Sequence, residues 1–388
     1  MSTQPRGDGG AHLVTGATGF IGAALVLELL DQTPGEVACL VRPSHDPERA
    51  RTRLSEALRR AFLLYDRADL LPAIEDRCRA VPFDLRDGGA ISPSSLPAGI
   101  VEVWHSAASL RFKQEQRAKI VEQNVEGTRR MLQLSTALGA STFNYVSTAY
   151  VAGKRTGLVL EEPARDPSVA HNAYEESKIL AETLVDDWEG LRTRIMRPSI
   201  VIGQSRTFAA ISNTGLYGFI LGVQSARTDV EGRKLGAFLA HRRVRLLGNG
   251  EAAINLIPVD VVARNAVRIS RSSSDARVFH LVNATPPLAA EAGRAVFAAL
   301  GMAEPRWVED DDDFTLIDER LDQHPRTDFF RTYLSQDRVF DLANTNAALG
   351  EEASTIFLES EELTPYLEWY LKMVEQVRDE QQQRLLAG

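Results

Sequence analysis

Along the chain, short apolar runs alternate with longer stretches in which apolar residues recur every three or four positions. AHLVT (11–15) has the pattern of a buried strand and leads through GATGFIG into the helix-periodic AALVLELL. EVACLVR (36–42), RAVPF (79–83), VEVWHSAA (101–108), STFNYVSTAY (141–150) and LRTRIMRPS (191–199) are the strands that follow. Between them, 48–66, EQNVEGTRRMLQLSTALG (122–139, with Gly139 as its C-cap) and AYEESKILAETLVDDW (173–188) are helices. Strands alternating with helices of this length predict βαβ units, hence an α/β, Rossmann-like, doubly wound parallel sheet. Beyond residue 200 the rhythm weakens. INLIPVDVVARNAVRIS (254–270) and ARVFHLVN (276–283) stand out, then a helix-rich tail that ends in a fraying surface helix; EDDDD (309–313) reads as a solvated loop. The expected division is a nucleotide-binding body at 1–203 and a smaller, interleaved substrate-binding cap at 204–388.

Composition narrows the class without changing that picture. The 388 residues carry 44 basic and 53 acidic side chains, a formal charge of -9, and 44% of them are hydrophobic. A chain of this size can bury a core without disulfide or metal staples. Two cysteines, Cys39 and Cys78, exclude a disulfide framework and a four-thiolate zinc site, so no metal is expected. The acidic balance argues against a general nucleic-acid surface. The start lacks a basic-then-apolar signal segment and no run reaches about 18 uninterrupted apolar residues, so a soluble, cytoplasmic enzyme away from membranes is expected.

The turn after the first strand carries the first candidate chemistry. Gly16, Gly19 and Gly22 are spaced three apart, with Thr15 and Thr18 interleaved and Phe20 and Ile21 between the last two glycines. Glycine permits a tight turn and lets a pyrophosphate approach the amides at a helix N-terminus, where the dipole favours negative charge. The end of the second strand ordinarily meets the adenosine ribose, and a carboxylate there would bind a free 2′-hydroxyl. This chain has Arg42 instead, which suits a 2′-phosphate and predicts NADPH (NADP+) over NADH. Asp84 and Leu85, past the third strand, are candidates to border the adenine.

Tyr174 and Lys178 lie four apart and so share a helix face. A phenol is a weak acid near neutral pH, and a nearby ammonium lowers its pKa and can also hold a ribose hydroxyl. Thr148, near the end of the fifth predicted strand, sits where ligands of parallel sheets bind and can hydrogen-bond a reacting carbonyl oxygen. Ser147 faces the other way by strand alternation and is the lesser candidate.

These segments together resemble the extended short-chain dehydrogenase/reductases, in the branch of fatty acyl-CoA reductases and of thioester reductase domains from carboxylic acid reductases and peptide synthetases. The resemblance rests on TGATGFIG (15–22), CLVR (39–42), VWHSAAS (103–109), NVEGT (124–128), YVSTAYVAG (145–153), NAYEESKILAE (172–182) and RPSIVIG (197–203). IPVDVVA (257–263) and YLSQDRVFDLANTN (333–346) extend it to nearly the whole chain. It implies that Thr148, Tyr174 and Lys178 form the catalytic triad and that Gly16, Gly19 and Gly22 cradle the pyrophosphate. Arg42 would meet the adenosine end, Ala107 and Ala108 would line the cofactor trough, and Pro198, Ser199, Ile200 and Val201 would lie beside the nicotinamide. Asn124 matches a supporting position outside the catalytic set.

The function this implies is NADPH-dependent reduction of an acyl thioester, held on CoA or on a separate acyl carrier protein, to an aldehyde, which a second hydride cycle could carry on to an alcohol. Reduction of a free ketone or aldehyde uses the same three residues and stays open, as do dehydrogenation of a hydroxy metabolite, nucleotide-sugar epimerisation and non-catalytic dinucleotide binding. GLYGFILGVQSA (215–226) is apolar enough to line an acyl pocket. Arg233, Lys234, Arg242, Arg243 and Arg245 are either a docking patch for CoA phosphates or an acidic carrier, or a solvated basic face. A monomer and a homodimer are both compatible with the sequence.

Overall fold

The computed structural model describes residues 9–42, 47–85, 91, 95–111, 114–231, 241–322, 333 and 337–387. Seven strands form one sheet: β1 (Ala11–Thr15), β2 (Val37–Val41), β3 (Cys78–Pro82), β4 (Ile100–His105), β5 (Thr142–Val146), β7 (Arg192–Pro198) and β11 (Val278–Leu281). The short β6 (Gly157–Val159) lies outside it. Their order is β11-β7-β5-β4-β1-β2-β3, and every pairing is parallel. The order reverses between β1 and β4, the crevice at which doubly wound sheets take their ligands.

Burial on both faces explains why the strands read as near-continuous apolar runs: every residue of β1, β2 and β5 is buried. One face packs the Phe20–Gln32, Pro47–Leu64 and Val259–Arg271 helices in a common apolar cluster. The other buries Met131, Leu132, Ala181 and Val185 from the Gly127–Ala137 and Ala173–Asp186 helices. Gly139 takes φ +68°, the left-handed value that ends the first of these two helices.

Three expected elements are corrected. The fourth strand stops at His105 and the fifth at Val146, short of 108 and 150. In the fifth, the Thr148 side chain caps a 3-10 turn, Ala149–Ala152, which takes the chain out of the sheet. The helix expected over 122–139 instead begins at Arg117, widens into a π-turn at Glu122–Glu126, and resumes as Gly127–Ala137. The widening accompanies an inward-turned Asn124, 2% exposed, whose amide is fully used in bonds to Ser109 and Ser177.

Past residue 200 the strands have three or four residues and pair with distant segments. β8 (Ile200–Ile202) pairs with β10 (Leu256–Pro258), β9 (Arg245–Leu247) with β12 (Arg306–Val308), and β6 with β13 (Arg338–Phe340). A second apolar cluster joins Tyr217 and Ile220 of the Leu216–Glu231 helix, Phe297 of the Ala289–Ala299 helix and Tyr370 of the Ser360–Ala387 helix. The acidic run 309–313 is exposed throughout, as its sequence suggests. Among the described residues no helix is long and apolar enough to cross a membrane.

Candidate active site

Parallel strands bring their carboxyl ends to one edge, and the residues singled out in sequence gather there. Thr15 ends β1, Arg42 follows β2, Asp84 and Leu85 follow β3, Ala107 and Ala108 follow β4, Thr148 follows β5, and Pro198 ends β7 with Ser199 to Val201 beyond. The Phe20–Gln32 helix opens at this edge on Gly19 with no side-chain cap and no acid in its first turn. Gly16 takes φ +77°, and a Cβ on it would stand 2.7 Å from the Ala107 amide. At Gly22 a Cβ would stand 2.0 Å from the Gly16 carbonyl oxygen. Thr18 and Gly19 face solvent. A bare, uncapped helix N-terminus in a glycine cradle fits the pyrophosphate of a dinucleotide.

Thr15, by contrast, is 1% exposed and turned inward. Its Oγ1 accepts from the Ala107 amide at 3.1 Å and lies 2.7 Å from His105 Nδ1. The arginine at the end of β2 is exposed, and its carbonyl accepts from Arg53 Nη1 at 2.7 Å. Arg53 and Arg60 line a cleft of about 390 Å³ together with Thr18, Gly19, Phe20 and Ile211. Sequence reading passed over this pair as part of a charged helix. Their spacing of seven, two helical turns on one face, is the signal that marks them.

At the other expected group of residues, Asn172 caps the Ala173–Asp186 helix by accepting from the Glu175 amide at 3.0 Å, which places Tyr174 in the first turn. Lys178, one turn on and 2% exposed, donates to the Val146 carbonyl at 2.7 Å, with Nζ 4.1 Å from the centroid of the Tyr145 ring. Val146 is the last residue of β5, two before Thr148, so Lys178 is anchored at the strand end that Thr148 follows. Thr148 Oγ1 accepts from the Tyr150 amide at 3.2 Å. Ser147 is buried too, and among the described residues its hydroxyl has no partner. Ser199, beyond β7, is likewise buried, with no partner for its hydroxyl among the described residues.

The electrostatics differ from the sequence expectation in one respect. Burial pushes Lys178 down to about 7, with Glu182 opposing. Tyr174 is pushed up, by burial first and then by the neighbouring Glu175 carboxylate, rather than down. Desolvation of a phenolate, with the Glu175 charge adding to it, sets the direction, so Tyr174 holds its proton as a donor would.

Residues from far along the chain close this end of the helix. The fully buried Glu175 accepts from the His171 amide at 2.8 Å, and Nδ1 of that histidine lies 3.0 Å from the same oxygen. Tyr333 donates its hydroxyl to the other oxygen. The Tyr333 ring packs edge-on against Tyr150 at 4.5 Å. No local pattern gave Tyr333 a role at the site. Of the basic cluster, Arg233 and Lys234 lie outside the described residues. Arg242 donates to Thr315, Arg243 to the Glu304 and Pro305 carbonyls, and Arg245 to Asp318, so these three are engaged by neighbouring protein groups, a role neither sequence alternative included. Among the described residues no cluster of His, Cys, Asp or Glu has the arrangement of a metal site.

The chain is similar to known proteins over most of its length. The family model described as male sterility protein matches residues 14–266. A protein of the linear gramicidin synthase of Brevibacillus parabrevis is 27% identical over 286 residues, 70% of this chain and 5% of that protein. Fatty acyl-CoA reductase 1 of Xenopus laevis is 30% identical over 223 residues, 49% of this chain and 42% of that one. The chain thus spans less than half the length of either relative. In structure, the terminal R domain from the myxalamid PKS-NRPS biosynthetic pathway superposes with a TM-score of 0.74 at 25% identity, covering 95% of this chain and 92% of the other.

Proposed function

The chain belongs to the male sterility protein family, with an NAD(P)-binding Rossmann fold, and we propose that it reduces an acyl thioester to an aldehyde with NADPH as cofactor. The observation that carries the reading is the anchoring of Lys178 at the end of β5, the strand end that Thr148 follows, with an uncapped glycine turn on the same sheet edge. The glycine turn would hold the pyrophosphate, Arg42 and Arg53 the 2′-phosphate, and Ser199 to Val201 would flank the nicotinamide. When bound, NADPH supplies the hydride.

Tyr174 gives its proton to the carbonyl oxygen as charge develops there, and Thr148 steadies that oxygen through its hydroxyl. Lys178, tied to the Val146 carbonyl, contributes positive charge and orients a ribose hydroxyl. Collapse of the resulting hemithioacetal expels the thiol. The thioester is favoured over a free ketone by the similarity to a terminal R domain across 95% of this chain and to a fatty acyl-CoA reductase. The acyl group would enter from the side of the cap at 204–388; the apolar side chains of the Leu216–Glu231 helix, expected in sequence to line its pocket, are instead packed in the second core cluster.

The test follows NADPH oxidation against acyl-CoAs, carrier-bound acyl thioesters, aldehydes and ketones, with thiol and product identified by mass. Thiol and aldehyde released in equal amounts support the reading; turnover confined to ketones refutes it.

A further inference from the structure

The glycine turn and the catalytic helix lie on different elements, yet a continuous run of hydrogen bonds joins them through a buried histidine. His105 ends β4 and is paired in register with Thr15, the end of β1, at the point where the strand order reverses. It is 1% exposed. Its Nδ1 lies 2.7 Å from Thr15 Oγ1, and its Nε2 lies 3.1 Å from Thr128 Oγ1.

The short bond from Thr128 to the Asn124 carbonyl favours one arrangement around the ring. Thr128 has a single hydroxyl proton, and with that proton on the Asn124 carbonyl at 2.6 Å the hydroxyl accepts from the imidazole. Nε2 therefore carries the ring proton. In a neutral ring Nδ1 is then an acceptor, and Thr15 must donate to it while accepting from the Ala107 amide. Neutrality is enforced by the surroundings: burial, and next the nearby Lys178 ammonium, push His105 down to about 3.

Beyond Thr128 the chain of bonds continues. Asn124 Oδ1 accepts from the Ser109 amide at 2.7 Å, and its Nδ2 donates to the Ser109 carbonyl and, at 2.8 Å, to Ser177 Oγ. Ser177 in turn donates to the Tyr174 carbonyl at 2.7 Å. With Nε2 protonated, each group on this path donates in one direction and accepts from the other.

We propose that His105 is a positioning residue, held as a single Nε2-protonated tautomer, that sets the glycine turn and the Ala107 trough in register with the helix carrying Tyr174. This deepens the reductase reading and rests on it for the role of Tyr174. A histidine that merely filled space would need no fixed tautomer. It would also transmit nothing to the two ends separately. The directional chain predicts that breaking its Thr15 side disturbs dinucleotide binding, whereas breaking its Thr128 side disturbs turnover.

The test uses the full chain with 15N-labelled histidines, the His105 signals being assigned by their loss in His105→Gln. The expected spectrum shows a bare Nδ1 and a protonated Nε2, unchanged between about pH 6 and 8. A protonated Nδ1, or titration in that window, overturns the proposal. In parallel, Thr128→Val is expected to lower kcat about tenfold with NADPH affinity held within about twofold. Thr15→Val is expected to weaken NADPH binding about tenfold, and Thr→Ser at either position to restore the loss. Serine variants as impaired as the valine variants, or equal losses of binding and turnover at both sites, overturn it as well. The tautomer and NADPH-affinity readouts need no substrate, so they stand or fall separately from the reductase reading.

Discussion

Two helix N-termini face the carboxyl edge of the sheet, and the chain finishes them in opposite ways. The Phe20–Gln32 helix begins on a glycine, without a side-chain cap or an acid in its first turn. The Ala173–Asp186 helix begins on Asn172, carries Glu175 and Glu176 in its first turn, and has the Glu175 carboxylate buried beneath Tyr333 and His171. Both termini present the positive end of a helix dipole. The first leaves that end for an anion from outside, and the second answers it with an anion of its own. Under the proposed function the difference divides their tasks: one end would bind phosphate, while at the other burial, and then an internal negative charge, keep Tyr174 protonated.

The contrast can be broken at either end. The largest effect is expected at the closed one. Lys178→Met should cut turnover by at least about 100-fold, because the ammonium is lost from the site. Since burial disfavours the charged lysine, the same change should raise Tm by about 2–4 °C in a thermal melt. In the wild-type protein the ammonium is present below about pH 7 and lost above it, so turnover should fall as pH rises through that value. A profile flat from about pH 6 to 9 would remove Lys178 from its role.

At the open end, Gly19→Asp would give the first helix the internal anion that the second one has. Its Cβ would stand 3.2 Å from the Gly16 oxygen, a contact that a few tenths of an ångström relieves. NADPH affinity should drop about 30-fold in a calorimetric titration, a cost of about 2 kcal/mol. Stability should hold or rise by less than about 1 kcal/mol. Arg53→Ala should come next, raising KM for NADPH about tenfold and for NADH little, through loss of one charge-assisted bond to the 2′-phosphate. Equal effects on the two cofactors would detach Arg53 from that phosphate. Tyr333→Phe should be the mildest for turnover, a change of less than about threefold. It leaves a buried carboxylate short of a donor, and denaturant unfolding should register about 1–3 kcal/mol.

How far each end was legible follows from where its partners lie in the chain. The glycine turn is written in seven consecutive residues, and its strand and helix adjoin it, so local pattern sufficed. Tyr174 and Lys178 were equally readable, being one turn apart on a strongly periodic helix. The closing of that helix was not, because Tyr333 stands 158 residues from Glu175 and contributes a single hydroxyl. The same reason hides the later strands: β13 has three residues, and its partner β6 lies nearly two hundred positions earlier. The π-turn at Glu122–Glu126 also escaped notice, since it accompanies the bonds that Asn124 makes to Ser109 and Ser177 and leaves no period in its own segment. The rise in the Tyr174 pKa needed burial as input. A Tyr and a Lys four apart in sequence suggest the opposite sign.

The central claim is that the closed helix end supplies the acid and the open end holds the cofactor, as separable functions. Tyr174→Phe tests it most directly, with NADPH titration and thioester turnover measured on one preparation. The account predicts NADPH affinity within about twofold of wild type and turnover lower by at least about 100-fold. Turnover near the wild-type rate, or loss of NADPH binding along with it, would contradict it.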